Sequence, residues 1–147
     1  MKLGVPLVVG CAMIASMLLV QGVAMTAIVW LVRRQVPRNG PFARWVHTLG
    51  VFARALLLIV GAQLAQIAGW AALFVACGEF GDFSNAFYQS AMNFTTLGYG
   101  DIHMSAAWML LGPLEAVAGM LMFGVSTAAL FAVVERLIRL NESHRPA

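Results

Sequence analysis

The chain has 147 residues, 61% of them hydrophobic and only 10% charged, with a formal charge of +3. A water-soluble domain of this size carries about twice that share of charge, so the composition excludes an ordinary soluble fold and points to one folding unit in a membrane. His47, His103 and His144 have no metal-ligand spacing, and no nucleotide site or catalytic triad is visible, so no cofactor, nucleic-acid partner or enzymatic activity is expected.

The first apolar run is Pro6 to Val32, with Gln21 its one conspicuous polar residue. It would make about 40 Å of helix, enough to cross a bilayer with some tilt. It is too long for a signal peptide and stops at Arg33-Arg34 without a small-residue cleavage pattern. A retained membrane helix is therefore expected. Arg33 to Thr48 is a basic linker broken by Pro37, Asn39, Gly40 and Pro41. Its second half interleaves Phe42, Trp45, Val46 and Leu49 with Arg44 and His47. That pattern predicts a short helix at the membrane surface, read as a basic anchor. Residues 1–48 are thus taken as a helix plus linker, and 49–147 as the main unit.

Leu49 to Ala76 is the second expected membrane helix. Arg54 near its start can snorkel to the surface. Gln63 and Gln66 lie three apart, on one face, and that face should meet protein rather than lipid. Gly61, Ala62, Ala65 and Gly69 would let a neighbour approach closely. Cys77 to Phe83 is a polar turn in which Asp82 or Ser84 can cap the next helix. Phe83 to Phe94 is that helix, about 18 Å long and too short to span. Cys11 and Cys77 read as buried thiols, with a disulfide between them the alternative.

Thr95-Thr96-Leu97-Gly98-Tyr99-Gly100-Asp101 follows. A dehydrated cation needs oxygen coordination, which a row of backbone carbonyls aimed at one axis supplies. Successive carbonyls in an extended chain point opposite ways, so alternate residues must leave the usual φ/ψ wells. Gly98 and Gly100 do so without a Cβ penalty. The run resembles the selectivity filter of potassium channels, usually written T-V-G-Y-G-D, with Leu97 in place of Val. Its Gly98-Tyr99-Gly100-Asp101 portion also matches the G-x-G-D signature of intramembrane aspartyl proteases. Those enzymes need a second membrane-embedded aspartate, and the other aspartate here, Asp82, lies in a polar loop.

The potassium-channel resemblance implies an all-α membrane fold of three spanning helices plus a re-entrant pore helix, the short Phe83–Phe94 segment, with the filter loop after it. It implies that K+ binds Thr96, Leu97, Gly98, Tyr99 and Gly100, with the Thr96 hydroxyl adding an oxygen. Thr95 and Asp101 would support the outer mouth, with Tyr99 as a strut. Met92 stands where many bacterial members carry a glutamate that pairs with the aspartate after the filter, so Asp101 must find another partner or water. The family assembles as a tetramer around the filter, a closed cyclic arrangement.

Ile102 to Met104 leads out, and Ser105 can cap a last helix from Ala106 to about Leu137. Pro113 should bend it locally. Glu115 is the one carboxylate well inside an apolar segment, and intramembrane ionisable groups are functional candidates. Three readings are open for it: a neutral acid bonded to Gln63, Gln66 or the pore helix, a support behind the filter, or a pH sensor. Phe123-Gly124-Val125-Ser126-Thr127-Ala128-Ala129-Leu130 resembles the inner helix of bacterial two-helix potassium channels. That match puts Gly119 at the gating hinge and Phe123 and Thr127 on the water-filled cavity; close helix packing is the other use for Gly119 and Gly124.

Arg33, Arg34, Arg38, Arg44 and Arg54 cluster at the first linker, and Arg136, Arg139 and Arg145 at the C-terminal end. The positive-inside rule puts both in the cytoplasm and the N-terminus outside. Glu79, Asp82, Asp101 and His103 then face outward, where acidic groups concentrate cations. Membrane lipid and further copies of the chain are the partners expected besides K+. No arginine repeat at three-residue spacing runs through a membrane helix, and the segment after Leu137 is short, so neither a voltage sensor nor a ligand-binding domain is expected. A less selective cation channel and a non-conducting accessory subunit are the alternatives.

Overall fold

Four helices follow one another among the described residues: α1 (Gly4–Arg33), α2 (Pro41–Ala76), α3 (Phe83–Phe94) and α4 (Leu111–Glu142). The computed structural model describes residues 4–34, 41–100 and 102–142, without the side chains of 41–45 and 140–142. Three helical stretches are long and apolar enough to cross a membrane: Gly4–Arg33, Val46–Ala76 and Leu111–Arg139. No strand occurs among the described residues, so the chain is an all-α membrane protein.

Two expectations need correction. The short surface helix does not end before the second span; α2 is one continuous helix from Pro41. Pro41 sits at its first position, where a missing N–H costs nothing. Nothing between Phe42 and Leu49 breaks the helix, so the interfacial pattern becomes its first turns. The other correction concerns the last helix, which begins at Leu111 rather than Ala106. A helix started at Ala106 would carry Pro113 in its interior, losing a backbone bond and clashing one turn back. Starting at Leu111 places Pro113 in the first turn, so no interior bend is needed. Ser105 then caps no helix. Its N–H and hydroxyl each donate to the Glu79 carboxylate at 2.6 Å, tying the segment after the Thr95–Gly100 run to the α2–α3 turn.

α3 has the expected bounds, and Asp82 caps it, its Oδ2 accepting from the Asn85 N–H at 3.2 Å. Phe94, at the other end of α3, is fully buried. Phe87 packs at the margin of a core built from α1 to α4 around Trp70, Phe74, Leu111 and Met122.

A second core joins Ile28 and Val32 of α1, Val51, Ala55 and Ile59 of α2, and Val133 and Leu137 of α4. Between the two cores, in all three helices, lies a polar layer. Gln21 Nε2 donates to Ser126 Oγ at 3.0 Å, and Gln66 Nε2 donates to Gln21 Oε1 at 2.9 Å. Gln63 Nε2 reaches the same Ser126 hydroxyl at 3.5 Å. The two glutamines of α2 do meet protein. Buried among apolar walls, these amides bind helix to helix because no water competes.

α1 approaches α2 at Gly69, where an added Cβ would lie 2.9 Å from Met17 Cε. No disulfide joins Cys11 and Cys77; both thiols are free, and Cys11 is exposed on the apolar surface rather than buried.

Candidate functional site

The Thr95–Gly100 run begins where α3 ends. Thr95 closes the helix, its N–H donating to Ala91 O at 3.1 Å and its hydroxyl to the same carbonyl at 2.7 Å. Thr96 N–H donates to Asn93 O at 2.9 Å. The backbone then alternates. Thr96 has φ +60°, Gly98 +53° and Gly100 +74°, while Leu97 and Tyr99 keep negative φ. This is the alternation that a row of like-facing carbonyls requires. Gly98 and Gly100 adopt it freely. Thr96 is β-branched, and a left-handed conformation there costs of order 1–3 kcal/mol. Such strain persists only where the surroundings impose it.

The surroundings are the C-terminal turn of α3. The Met92 carbonyl accepts from Leu97 N–H at 3.0 Å and from Gly98 N–H at 3.3 Å. Two donors of the run are thereby turned toward the end of α3. Met92 itself is buried and, with Thr96 and Gly98, lines a cavity beside the run. Leu97 and Tyr99 are 54% and 72% exposed, so the described residues leave most of each side chain uncovered. Asp101 lies outside the described residues, as do Arg38, His144 and Arg145.

Glu115, on α4 beside α3, is fully buried. Its partners are on α3 and not Gln63 or Gln66. Ser90 Oγ is 2.5 Å from Glu115 Oε1, and Asn93 Nδ2 donates to Glu115 Oε2 at 3.1 Å. Gln89 Nε2 donates to Asn93 Oδ1 at 3.0 Å, extending the chain of bonds outward. Ser90 Oγ also lies 2.8 Å from the Ile67 carbonyl of α2. A serine hydroxyl has one proton, so it serves Glu115 or Ile67 but not both. A carboxylic acid at Glu115 supplies the second proton and completes the network; a carboxylate leaves one contact without a hydrogen.

Gly119 follows one turn down α4. A Cβ added there would lie 2.0 Å from Phe94 O and 2.8 Å from Phe94 C. The glycine is what lets α4 touch the backbone at the end of α3. Phe123 packs edge-on against Phe94, ring centroids 5.7 Å apart, and stays partly exposed. The exposed Thr127 returns its hydroxyl to Phe123 O at 2.9 Å. Gly124 has open space around it.

Of the residues named from sequence, Met92, Thr95, Thr96, Leu97, Gly98, Tyr99 and Gly100 form one continuous strip at the end of α3. Glu115, Gly119 and Phe123 line up beneath it along α4. Glu79 and Asp82 are engaged by Ser105 and the α3 N-terminus, and among the described residues no metal-binding cluster occurs. Sequence reasoning missed Ser90 and Asn93. Their spacing on α3 was a legible signal; which helix they would meet was not.

A model of the family described as Ion channel matches residues 57–136. That stretch takes in most of α2, all of α3, the exposed run and α4 as far as Arg136. No curated protein and no solved structure matches the chain at a significant level.

Proposed function

The chain belongs to the ion channel family, and from that premise we propose that it is the pore subunit of a potassium-selective channel conducting K+ passively. The observation that carries this reading is the alternating positive φ at Thr96, Gly98 and Gly100. In the proposed channel the carbonyls of Thr96, Leu97, Gly98 and Tyr99, with the Thr96 hydroxyl, replace the water around K+. The Leu97 and Gly98 N–H groups stay on the Met92 side and leave the ion path to oxygens. Irregular backbone at membrane depth must be buried in protein or line water. A ring of four copies, a closed cyclic assembly, would meet both conditions and would cover Leu97 and Tyr99.

In this reading residues 49–147 form the pore unit behind a first helix and linker, 1–48. α3 aims its C-terminal partial negative charge at the ion below the filter. Asp101 stands at the outer mouth. Gly119, Phe123 and Thr127 line the inner helix beneath, with Gly119 holding α4 against α3. Both arginine clusters face the cytoplasm, the N-terminus faces outward, and no residue is assigned a catalytic role.

The experiment is ion flux from vesicles loaded with either K+ or Na+ and containing the purified chain. K+ efflux well above Na+ efflux, absent from Gly98→Ala vesicles, is the expected result. Equal fluxes would favour a less selective cation pore, and no flux for either ion an accessory subunit.

A further inference from the structure

Toward their C-terminal ends α1 and α4 part to leave an apolar groove of about 590 Å³, within the roughly 300–1,000 Å³ usual for ligand sites. Ile28 and Val32 form one wall, and Ala129 and Ala132 the other. The groove exists because α4 offers two alanines, three residues apart and so on one face, where a larger side chain would fill the gap. Arg33 and Arg136 line its C-terminal end, and both are exposed.

The charges at this end are not equivalent. Arg139 pairs with Glu135, and Arg34 stacks over the Trp30 ring at 3.8 Å. Arg33 and Arg136 have no acidic partner among the described residues. The carbonyls ending α1 carry partial negative charge, which two full positive charges outweigh. The result is an apolar slot at membrane depth, closed at the interface by two free guanidiniums.

We propose that this groove binds an anionic phospholipid from the leaflet in which α1 and α4 end, its acyl chain along the slot and its phosphate between Arg33 and Arg136. A guanidinium matches phosphate geometry and is weakly hydrated. Basic pockets between membrane helices are suited to such headgroups. A second copy is a poorer occupant. At this level the described residues offer one acid, Glu135, and it is already bonded to Arg139. One wall of the groove is α1, which precedes the family match at 57–136, and the binding proposed here does not depend on which ion is conducted.

The test is native mass spectrometry of the full chain, carried from detergent with equal phosphatidylglycerol and phosphatidylcholine. Phosphatidylglycerol should be retained preferentially. Arg33→Gln or Arg136→Gln alone should weaken that retention roughly fivefold, and the double variant roughly thirtyfold. Ala132→Phe, at an exposed position, should exclude the lipid with both arginines intact, and millimolar inorganic phosphate should not displace it. Equal retention of the two lipids, or an unchanged preference in the double variant, would overturn the proposal. Displacement by phosphate alone would mean a bare anion site and would also overturn it. So would a change of oligomeric state in the double variant without any lipid preference, which would make the groove an interface between copies. None of these readouts depends on ion flux, so failure here is distinct from failure of the channel proposal.

Discussion

Two polar regions interrupt this apolar chain, and they are finished to different degrees. The layer of Gln21, Gln63, Gln66 and Ser126 is bonded within itself: three helices supply it and its side chains bond to one another, with the buried Gln66 Oε1 left without a partner among the described residues. The Thr95–Gly100 run is open. Its first N–H groups are engaged by α3, its φ angles alternate in sign, and its apolar side chains have no cover. A closed polar layer in a membrane is glue between helices. An open stretch of polar backbone needs water, an ion or other copies of the chain. The comparison separates the part that holds the protein together from the part that is free to act.

The largest effect expected from disturbing this contrast is at the open end. Gly98 has φ +53° and nothing within 4 Å of an added Cβ, so Gly98→Ala is a purely conformational insult. It costs about 1–2 kcal/mol in each chain and should abolish the proposed selective flux while leaving helix content intact. Gly119→Ala comes next. Its Cβ meets Phe94 backbone, which cannot swing aside, and the overpacking should lower stability by about 1–3 kcal/mol. Gly124→Ala, with open space around it, is the control and should be near neutral in a thermal melt of the detergent-solubilised protein.

Glu115 sharpens the comparison because it is a closed polar site bonded to α3, the helix at whose end the open run begins. Glu115→Ala leaves Ser90 and Asn93 without their shared partner and should cost about 1–3 kcal/mol, read as a lower melting temperature. Glu115→Gln keeps a donor for Ser90 and an acceptor for Asn93 and should melt near wild type. A glutamine variant as damaged as alanine would show that the network needs a carboxylate. The smallest effects belong to the layer itself. Gln21→Leu or Ser126→Ala should cost about 0.6 kcal/mol, and no more than about 1.7.

The same contrast governs what the sequence reveals. The open run is local: six consecutive residues carry both its chemistry and its backbone requirement, so its position and the alternation at Gly98 and Gly100 could be read directly. The bounds of α3 were legible for the same reason, with Asp82 capping it and its length too short to span. Thr96 was not legible as a left-handed residue, since a β-branched side chain argues against that conformation and the bonds at the end of α3 impose it. The partners of Glu115 were hidden because they depend on how α3 and α4 pack. Glu115 itself stood out as a lone acid, but Gln63 and Gln66 were equally available on paper and turned out to face Gln21 and Ser126. The start of α4 went astray through Pro113, whose cost was read as a bend when starting the helix later avoids the cost altogether.

The decisive experiment is the reversal potential of the purified chain in a planar bilayer with K+ on one side and Na+ on the other. Current reversing near the potassium equilibrium potential, and lost in Gly98→Ala, is the predicted result. Robust current reversing near zero would contradict potassium selectivity and would show that the alternating run admits Na+ as readily as K+.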